Sequence, residues 1–352
     1  MAERGKKGFF PTISEVAKEA GVSRTTVSRY INNSGYVSKD AREKIEKAIR
    51  TVGYRPNKIA QSLTKHSTGN IALVLSDIAN PISAIYAKGV ESVAREHDLN
   101  LIICNTGFDL QTEIQSVNRL IEKQIDGIII APCGKGKEHI EEVIQRGIPL
   151  VFISRRIHGV NADYVRFANE QGSFQVVEHL IKLGHRRIGI ISRDLDRAND
   201  IERLKGYKEA LHYYGIPVDE SLIQSGQAVE EVGYEKMKIL LALPNPPTAV
   251  YTAVNLFAVG VLKLCRERGI RIPEDLAVAS FESFSYLDPI ISPPLTANRM
   301  PVFELGVTAA QLLVERIKAK DQKSIPYRDI SLQGELVVRE STVGKKAMTA
   351  LA

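Results

Sequence analysis

Cysteine is scarce. The 352 residues contain three, Cys104, Cys133 and Cys265. They are far apart, odd in number and form no CxxC pair, which argues against a disulfide framework or a thiolate zinc site and fits a reducing compartment. The seven histidines show no metal-ligand spacing. No apolar run approaches the ~20 residues of a membrane-spanning helix; the longest, GIIIAP and PLVFIS, read as buried strands. The opening residues, MAERGKKGFFPT, are basic but hold no apolar segment of the kind a secretory signal needs. A cytoplasmic protein with no membrane partner is therefore expected. GKGKE at 134–138 is not a complete GxxxxGK[ST] loop, and GxSxG is absent, so no motif supports an enzyme. His185 follows a helix end and precedes a strand, a structural position rather than a catalytic one.

Acidic residues are in deficit in one place only. Residues 1–65 hold 14 Lys and Arg against 6 Asp and Glu, a net of +8. The rest holds 33 against 35, a net of −2. A compact basic head on a near-neutral body points to a polyanionic partner. The length predicts two or three folded units, with enough apolar content (44%) for sizeable cores.

The head reads as three helices. Thr12-Ile-Ser-Glu15 is a capping box, in which the Thr12 hydroxyl accepts from the third helical amide and Glu15 reaches back. Ile13, Val16, Ala17 and Ala20 form one apolar stripe, and Gly21 can take the positive φ that ends the helix. Ser23 caps a second helix from Arg24, with Val27, Tyr30 and Ile31 inward and Arg24, Thr25, Ser28 and Arg29 outward. Two helices across so short a turn form a helix-turn-helix unit, whose second helix fits the DNA major groove. Arginines and hydroxyls on its outer face suit base edges and phosphates. A third helix follows from the Ser38 cap, with Ala41, Ile45, Ala48, Ile49 and Val52 as its core stripe and Gly53 at its end. Asn57 could cap a short helix reaching Leu63, marginal in isolation.

From Ile71 onward, apolar runs alternate with amphipathic helices. IALVLSD, LNLIICN, DGIIIAP and PLVFIS read as strands separated by helices near 82–97, 110–124 and 137–146. A second series follows through RIGIIS, TAVYTA and LAVASF. The pattern is that of a doubly wound parallel α/β body.

The stretches AKEAGVSRTTVSRYIN and YRPNKIAQSL resemble the head of LacI-family transcription regulators. The resemblance covers nearly the whole chain: IALVLSDIANP, DGIIIAP, EHLIKLGHRRI, ERLKGYKEAL, RIPEDLAV, SPPLTAN and ELVVRES are similar to the family's later landmarks, in order. It implies an all-α head over 1–56, a hinge helix and linker over 57–68, and a periplasmic-binding-protein-like body over 69–344, with a tail at 345–352. Two parallel-sheet subdomains are implied, one of about 69–166 plus 297–327, the other of about 167–296 plus 328–344. The resemblance further implies a homodimer on a roughly palindromic operator, most simply a repressor, whose DNA affinity is changed by a small molecule in the body cleft. No cofactor is implied.

Carried over residue by residue, Arg24 and Thr25 open the recognition helix and should read bases, with Arg29 in the same groove. Thr12, Ser23, Thr26, Ser28, Asn32, Tyr54 and Asn57 are candidates for phosphate contacts, which position a protein without reading sequence. Leu63, with Ala60 beside it, matches the family's minor-groove wedge, which bends DNA. In the body, Asp77, Asn80, Arg155 and Arg203 match effector-site positions, and Asn255 and Glu282 stand at two more. Here the chain departs from the family. Ser154, Ala168, Val254 and Ser283 replace usual acidic or amide groups, while Arg156 and Arg193 lie nearby in sequence. Fewer acceptors and more guanidinium groups favour an acidic or phosphorylated sugar. A neutral sugar held differently, an empty cleft, and a catabolite-control role with a phosphocarrier protein are the alternatives. A transport solute-binding protein would need a secretory signal and no basic head.

Overall fold

The computed structural model describes residues 11–32, 34–54, 67–134, 136–194, 198–283, 291–319, 321 and 324–344. The chain divides into two compact units, Met1–Thr68 and Gly69–Ala352. Most of the hinge segment expected over 57–68, with Asn57, Ala60 and Leu63, lies outside the described residues, as does the tail at 345–352.

In the first unit, α1 (Ile13–Ala20), α2 (Arg24–Asn32) and α3 (Lys39–Val52) surround a core of Val16, Ala17, Ala20, Val27, Val37, Ile45, Ala48 and Tyr54. Local chemistry sets the ends. The Thr12–Glu15 capping box forms in full, and Ser38 accepts from the Ala41 amide. Gly21 and Gly53 end α1 and α3 at φ 62° and 66°, where a side chain would be strained.

The second unit begins with β1 (Asn70–Leu75), α4 (Pro81–Glu96), β2 (Asn100–Asn105), α5 (Leu110–Glu122), β3 (Gly127–Ile130), α6 (Glu138–Gln145), β4 (Leu150–Ile153) and β5 (Asp163–Phe167). It continues with α7 (Asn169–Lys182), β6 (Ile188–Arg193), α8 (Ala198–Tyr213), β7 (Ile223–Gly226), α9 (Glu230–Leu241), β8 (Ala249–Thr252), α10 (Asn255–Arg268) and β9 (Ala277–Ser280). It ends with β10 (Thr296–Arg299), α11 (Val302–Lys318), β11 (Asp329–Leu332) and β12 (Glu335–Val337). Two six-stranded sheets result, ordered β11-β5-β4-β3-β1-β2 and β12-β10-β9-β8-β6-β7. The expected doubly wound pair is there, with one departure from parallel pairing: β12 runs antiparallel to β10.

The chain crosses between sheets three times. The crossings fall at Ala168, between Arg299 and Val302, and between Leu332 and Glu335. The second and third correct the expected boundaries at 296/297 and 327/328. Thr296 and Ala297 pair with β9, so β10 stays in the second sheet. Asp329–Leu332 pair in register with Tyr164–Phe167, so β11 returns to the first sheet before the chain leaves it. Helices pack closely over the sheets where glycines face backbone: a Cβ on Gly306 of α11 would overlap the Tyr86 carbonyl of α4, and one on Gly260 of α10 would overlap the Glu230 carbonyl of α9.

Candidate functional site

On the head, α2 buries Val27 completely and packs Tyr30 and Ile31 against the core, where the Tyr30 hydroxyl donates to Glu46 at 2.9 Å. This anchoring turns Arg24, Thr25 and Arg29 outward, all exposed. Ser23 caps the helix through the Thr26 amide at 3.1 Å, and the Ser23 and Thr26 hydroxyls share a hydrogen bond of 2.8 Å. Asn32 donates to the Ser28 hydroxyl at 3.3 Å. Thr12 is exposed, but its hydroxyl is engaged with Glu15. Tyr54 differs from the other candidates: its ring is buried in the head core. Packing is therefore its main role.

In the body, the C-terminal ends of the strands of both sheets face one cavity of about 90 Å³. Asp77, Asn80, Ser154 and Arg155 reach it from the first subdomain, and Arg193, Asn199, Asp200, Arg203 and Glu282 from the second. Arg203 is buried and makes three hydrogen bonds within the protein. Its terminal nitrogen donates to Glu282 at 2.9 Å and to the Ala253 carbonyl at 2.5 Å, and its Nε donates to Asn169 at 3.1 Å. Its guanidinium carbon lies 3.9 Å from the centre of the Phe281 ring. Arg155 donates to Ser76, which in turn donates to the Ala131 carbonyl at 3.1 Å, and it lies over Phe108 at 5.8 Å. Ser154 sets its direction from a left-handed conformation, φ 63°, uncommon for a residue with a side chain. Asn80 and Asp77 also serve their own loop: Asn80 accepts from the Ile82 amide at 3.0 Å and Asp77 from the Ala79 amide at 2.9 Å.

A family model described as bacterial regulatory proteins, lacI family, matches residues 12–57, and one described as a periplasmic binding protein-like domain matches 177–342. The HTH-type transcriptional regulator DegA of Bacillus subtilis is 36% identical across 94% of this chain and 98% of its own. Catabolite control protein A of Priestia megaterium is 32% identical across 94% and 99%. The chain belongs to the LacI family. Among solved structures, the complex of transcriptional regulator CelR with cellobiose is 32% identical with a TM-score of 0.71, covering 94% of this chain and 99% of that one. The lac repressor dimer bound to operator and the anti-inducer ONPF, 24% identical, has a TM-score of 0.84 over 95% and 100%, a likeness of fold. This LacI-family chain is thus a DNA-binding transcriptional repressor, and the relatives it matches are regulators rather than enzymes.

Within the LacI-family body, five of the six expected cleft residues come together: Asp77, Asn80, Arg155, Arg203 and Glu282. Asn255 does not. It is the first residue of α10, buried and outside the lining. Arg156 does not either. It turns to the sheet edge, where it meets Asp329 at 3.3 Å and the Tyr164 ring at 5.2 Å. Among the lining residues that escaped the sequence reading, two polar ones adjoin Arg203 on its own helix. Asn199 and Asp200 open α8, four and three residues before Arg203, and helical spacing could have placed them beside it. With Asp200 included, the arginines Arg155, Arg193 and Arg203 face the carboxylates of Asp77, Asp200 and Glu282. The expected surplus of positive charge is therefore not present in this lining. His185 holds its Nδ1 2.9 Å from the Thr248 hydroxyl.

Proposed function

We propose that two copies of the chain bind a roughly palindromic operator, one head to each half, and that a small molecule in the body cleft changes that affinity. The observation that carries the reading is the exposed Arg24, Thr25 and Arg29 face on a helix whose opposite face is locked into a three-helix core. Arg24 and Thr25 read base edges, Arg29 lies in the same groove, and Thr12, Ser23, Thr26, Ser28, Asn32, Tyr54 and Asn57 hold phosphates. Leu63 and Ala60 form the minor-groove wedge. The site of action is the cytoplasm. Operator selection from a random library, followed by titration at several salt concentrations, tests this: binding should favour one sequence and fall steeply with salt. Salt-independent binding would remove the reading.

For the effector, the finer reading remains an acidic or phosphorylated sugar, supported by Arg155 and Arg193, one from each subdomain. Glu282 on Arg203 and the additional Asp200 weigh toward a neutral sugar, whose hydroxyls donate to carboxylates. The likeness to a cellobiose complex supports that second reading. A cavity of about 90 Å³ is smaller than the ~300 Å³ and upward of usual ligand pockets, so the cleft must widen to admit either. Calorimetry against neutral sugars, sugar acids and sugar phosphates separates them. Binding of a neutral sugar without any anion would reject the acidic effector.

A further inference from the structure

A polar chain runs from the cleft to the outer edge of the junction between the two subdomains. Arg203, in the cleft lining, gives its Nε–H to Asn169 Oδ1 at 3.1 Å. Asn169, at the start of α7, gives its Nδ2–H to Glu202 Oε2 at 2.9 Å. The other Glu202 oxygen stands 3.7 Å from Arg166, and Arg166 Nε donates to Asp329 Oδ1 at 2.9 Å. Arg166 and Asp329 sit on β5 and β11 of the first sheet, whereas Glu202 and Asn169 sit on α8 and α7 of the second subdomain. Arg166–Glu202 is thus a charge pair across the junction. It borders a separate cavity of about 490 Å³ lined by Arg166, Asn169, Glu202, Phe174 and Ser331 among others.

The amide of Asn169 gives this chain a direction. An asparagine offers one acceptor oxygen and one donor nitrogen. With a carboxylate on one side and a guanidinium on the other, only one orientation satisfies both; the flipped amide would set donor against donor. The amide is buried, so an unsatisfied end is costly. The Glu202 carboxylate at 2.9 Å, with the longer Phe167 carbonyl at 3.4 Å beside it, therefore fixes the amide, and the amide fixes the Nε side of Arg203. Arg166, half held by Asp329, fixes the carboxylate.

We propose that Arg166 is a positioning residue for the cleft arginine Arg203, acting through Glu202 and Asn169. Because Arg166 and Glu202 belong to different subdomains, widening of the cleft alters their separation and with it the hold on Arg203. The positioning stands on this geometry alone; its consequence for an effector rests on the proposed function.

Modification of the full-length protein by phenylglyoxal, an arginine reagent, with mass-spectrometric mapping, tests the positioning without any effector. Arg203 should react slowly in the unmodified chain. Arg166→Gln should raise its rate about two- to fivefold, the scale of one lost, partly exposed ion pair, and Arg166→Lys should recover most of the protection. Arg156→Gln, which shares Asp329 but does not touch Glu202, should leave Arg203 unchanged. Exchanging the pair, Arg166→Glu with Glu202→Arg, restores a bridge across the junction but leaves Asn169 Nδ2 only its longer hydrogen bond to the Phe167 carbonyl, 3.4 Å, so Arg203 should stay more reactive than in the unmodified chain. Were Arg166→Gln not to fold, Glu202→Gln, whose amide can turn its own NH2 to Asn169, should raise the rate in the same way. An unaltered rate in a folded Gln variant, or protection regained in the exchanged pair, overturns the proposal. The exchanged-pair outcome would mean that Arg166 merely ties the subdomains together.

Discussion

Arg24 and Arg203 both stand where a ligand should arrive, and their surroundings are opposite. Arg24 is exposed on α2, on a rigid core built from Val16, Val27 and Ile45. Arg203 is 5% exposed and already bonded to Glu282, Ala253 and Asn169. The difference follows from the partner each must meet. DNA brings its own dense charge to a surface that water can solvate until contact, so donors can wait in solvent. A closed cleft removes its groups from water, and each buried charge then needs an internal partner. Affinity in the head should therefore depend on side chains that stability ignores. The cleft's side chains should matter to both.

The largest test of that contrast removes a partner in the cleft. Glu282→Ala leaves the Arg203 charge buried without its carboxylate and should destabilise the body by about 3–5 kcal/mol in urea unfolding, with Glu282→Gln milder. Arg24→Ala should cost about 1–3 kcal/mol in binding the preferred operator, by anisotropy, and nothing measurable in unfolding. If it weakened all DNA sequences equally, Arg24 would be a phosphate contact. If it destabilised the fold as Glu282→Ala does, the contrast between the two sites would collapse. Thr12→Ala sits between the cases, because the same hydroxyl caps α1. A loss of about 1 kcal/mol in head stability, read by the melting of its helices, is expected from the cap.

The smallest effect concerns pH and belongs to the body alone. Burial lowers the pKa of His179, helped by the charges of His185 and Lys182, and burial lowers that of His185. Each ring bonds a hydroxyl, Thr342 and Thr248 respectively, at 2.9 Å. The unfolded chain therefore takes up protons more readily. The stability these groups add is complete above the ordinary histidine value of about 6.5 and is lost as pH falls below it. Melting of the full-length protein should shift downward between about pH 7.5 and 5.5 in the body transition, and His185→Gln should reduce that shift.

Several features were legible because they are local. The Thr12–Glu15 box, the Gly21 and Gly53 stops and the stripe of Ile45 and Ala48 are written within one or two helical turns, and each forms as expected. Apolar runs such as GIII and LVFI announced β3 and β4, whose four residues are all buried. Short mixed strands did not announce themselves. IQSG of β7 and TANR of β10 lack the continuous apolar run of a central strand, and their pairing partners decide them.

The cleft was legible in membership and not in charge. Asp77, Asn80, Arg155 and Glu282 follow strand ends that are marked in the chain, and Arg203 lies in the helical segment ERLKGYKEAL. Arg156 and Arg155 are adjacent, yet one turns to Asp329, 173 residues away, and the other to Ser76, 79 residues away. Arg203 finds Glu282 across another 79 residues. The sequence by itself determined the three-helix head, its outward basic face and the alternation of strands and helices, since hydrogen-bond spacing and periodicity act over a few residues. Which sheet takes β11, whether an arginine is neutralised, and that Asp200 rather than Asn255 lines the cleft were decided by the tertiary structure, because burial and ion pairing depend on which distant segments the folded sheets bring within a few ångströms.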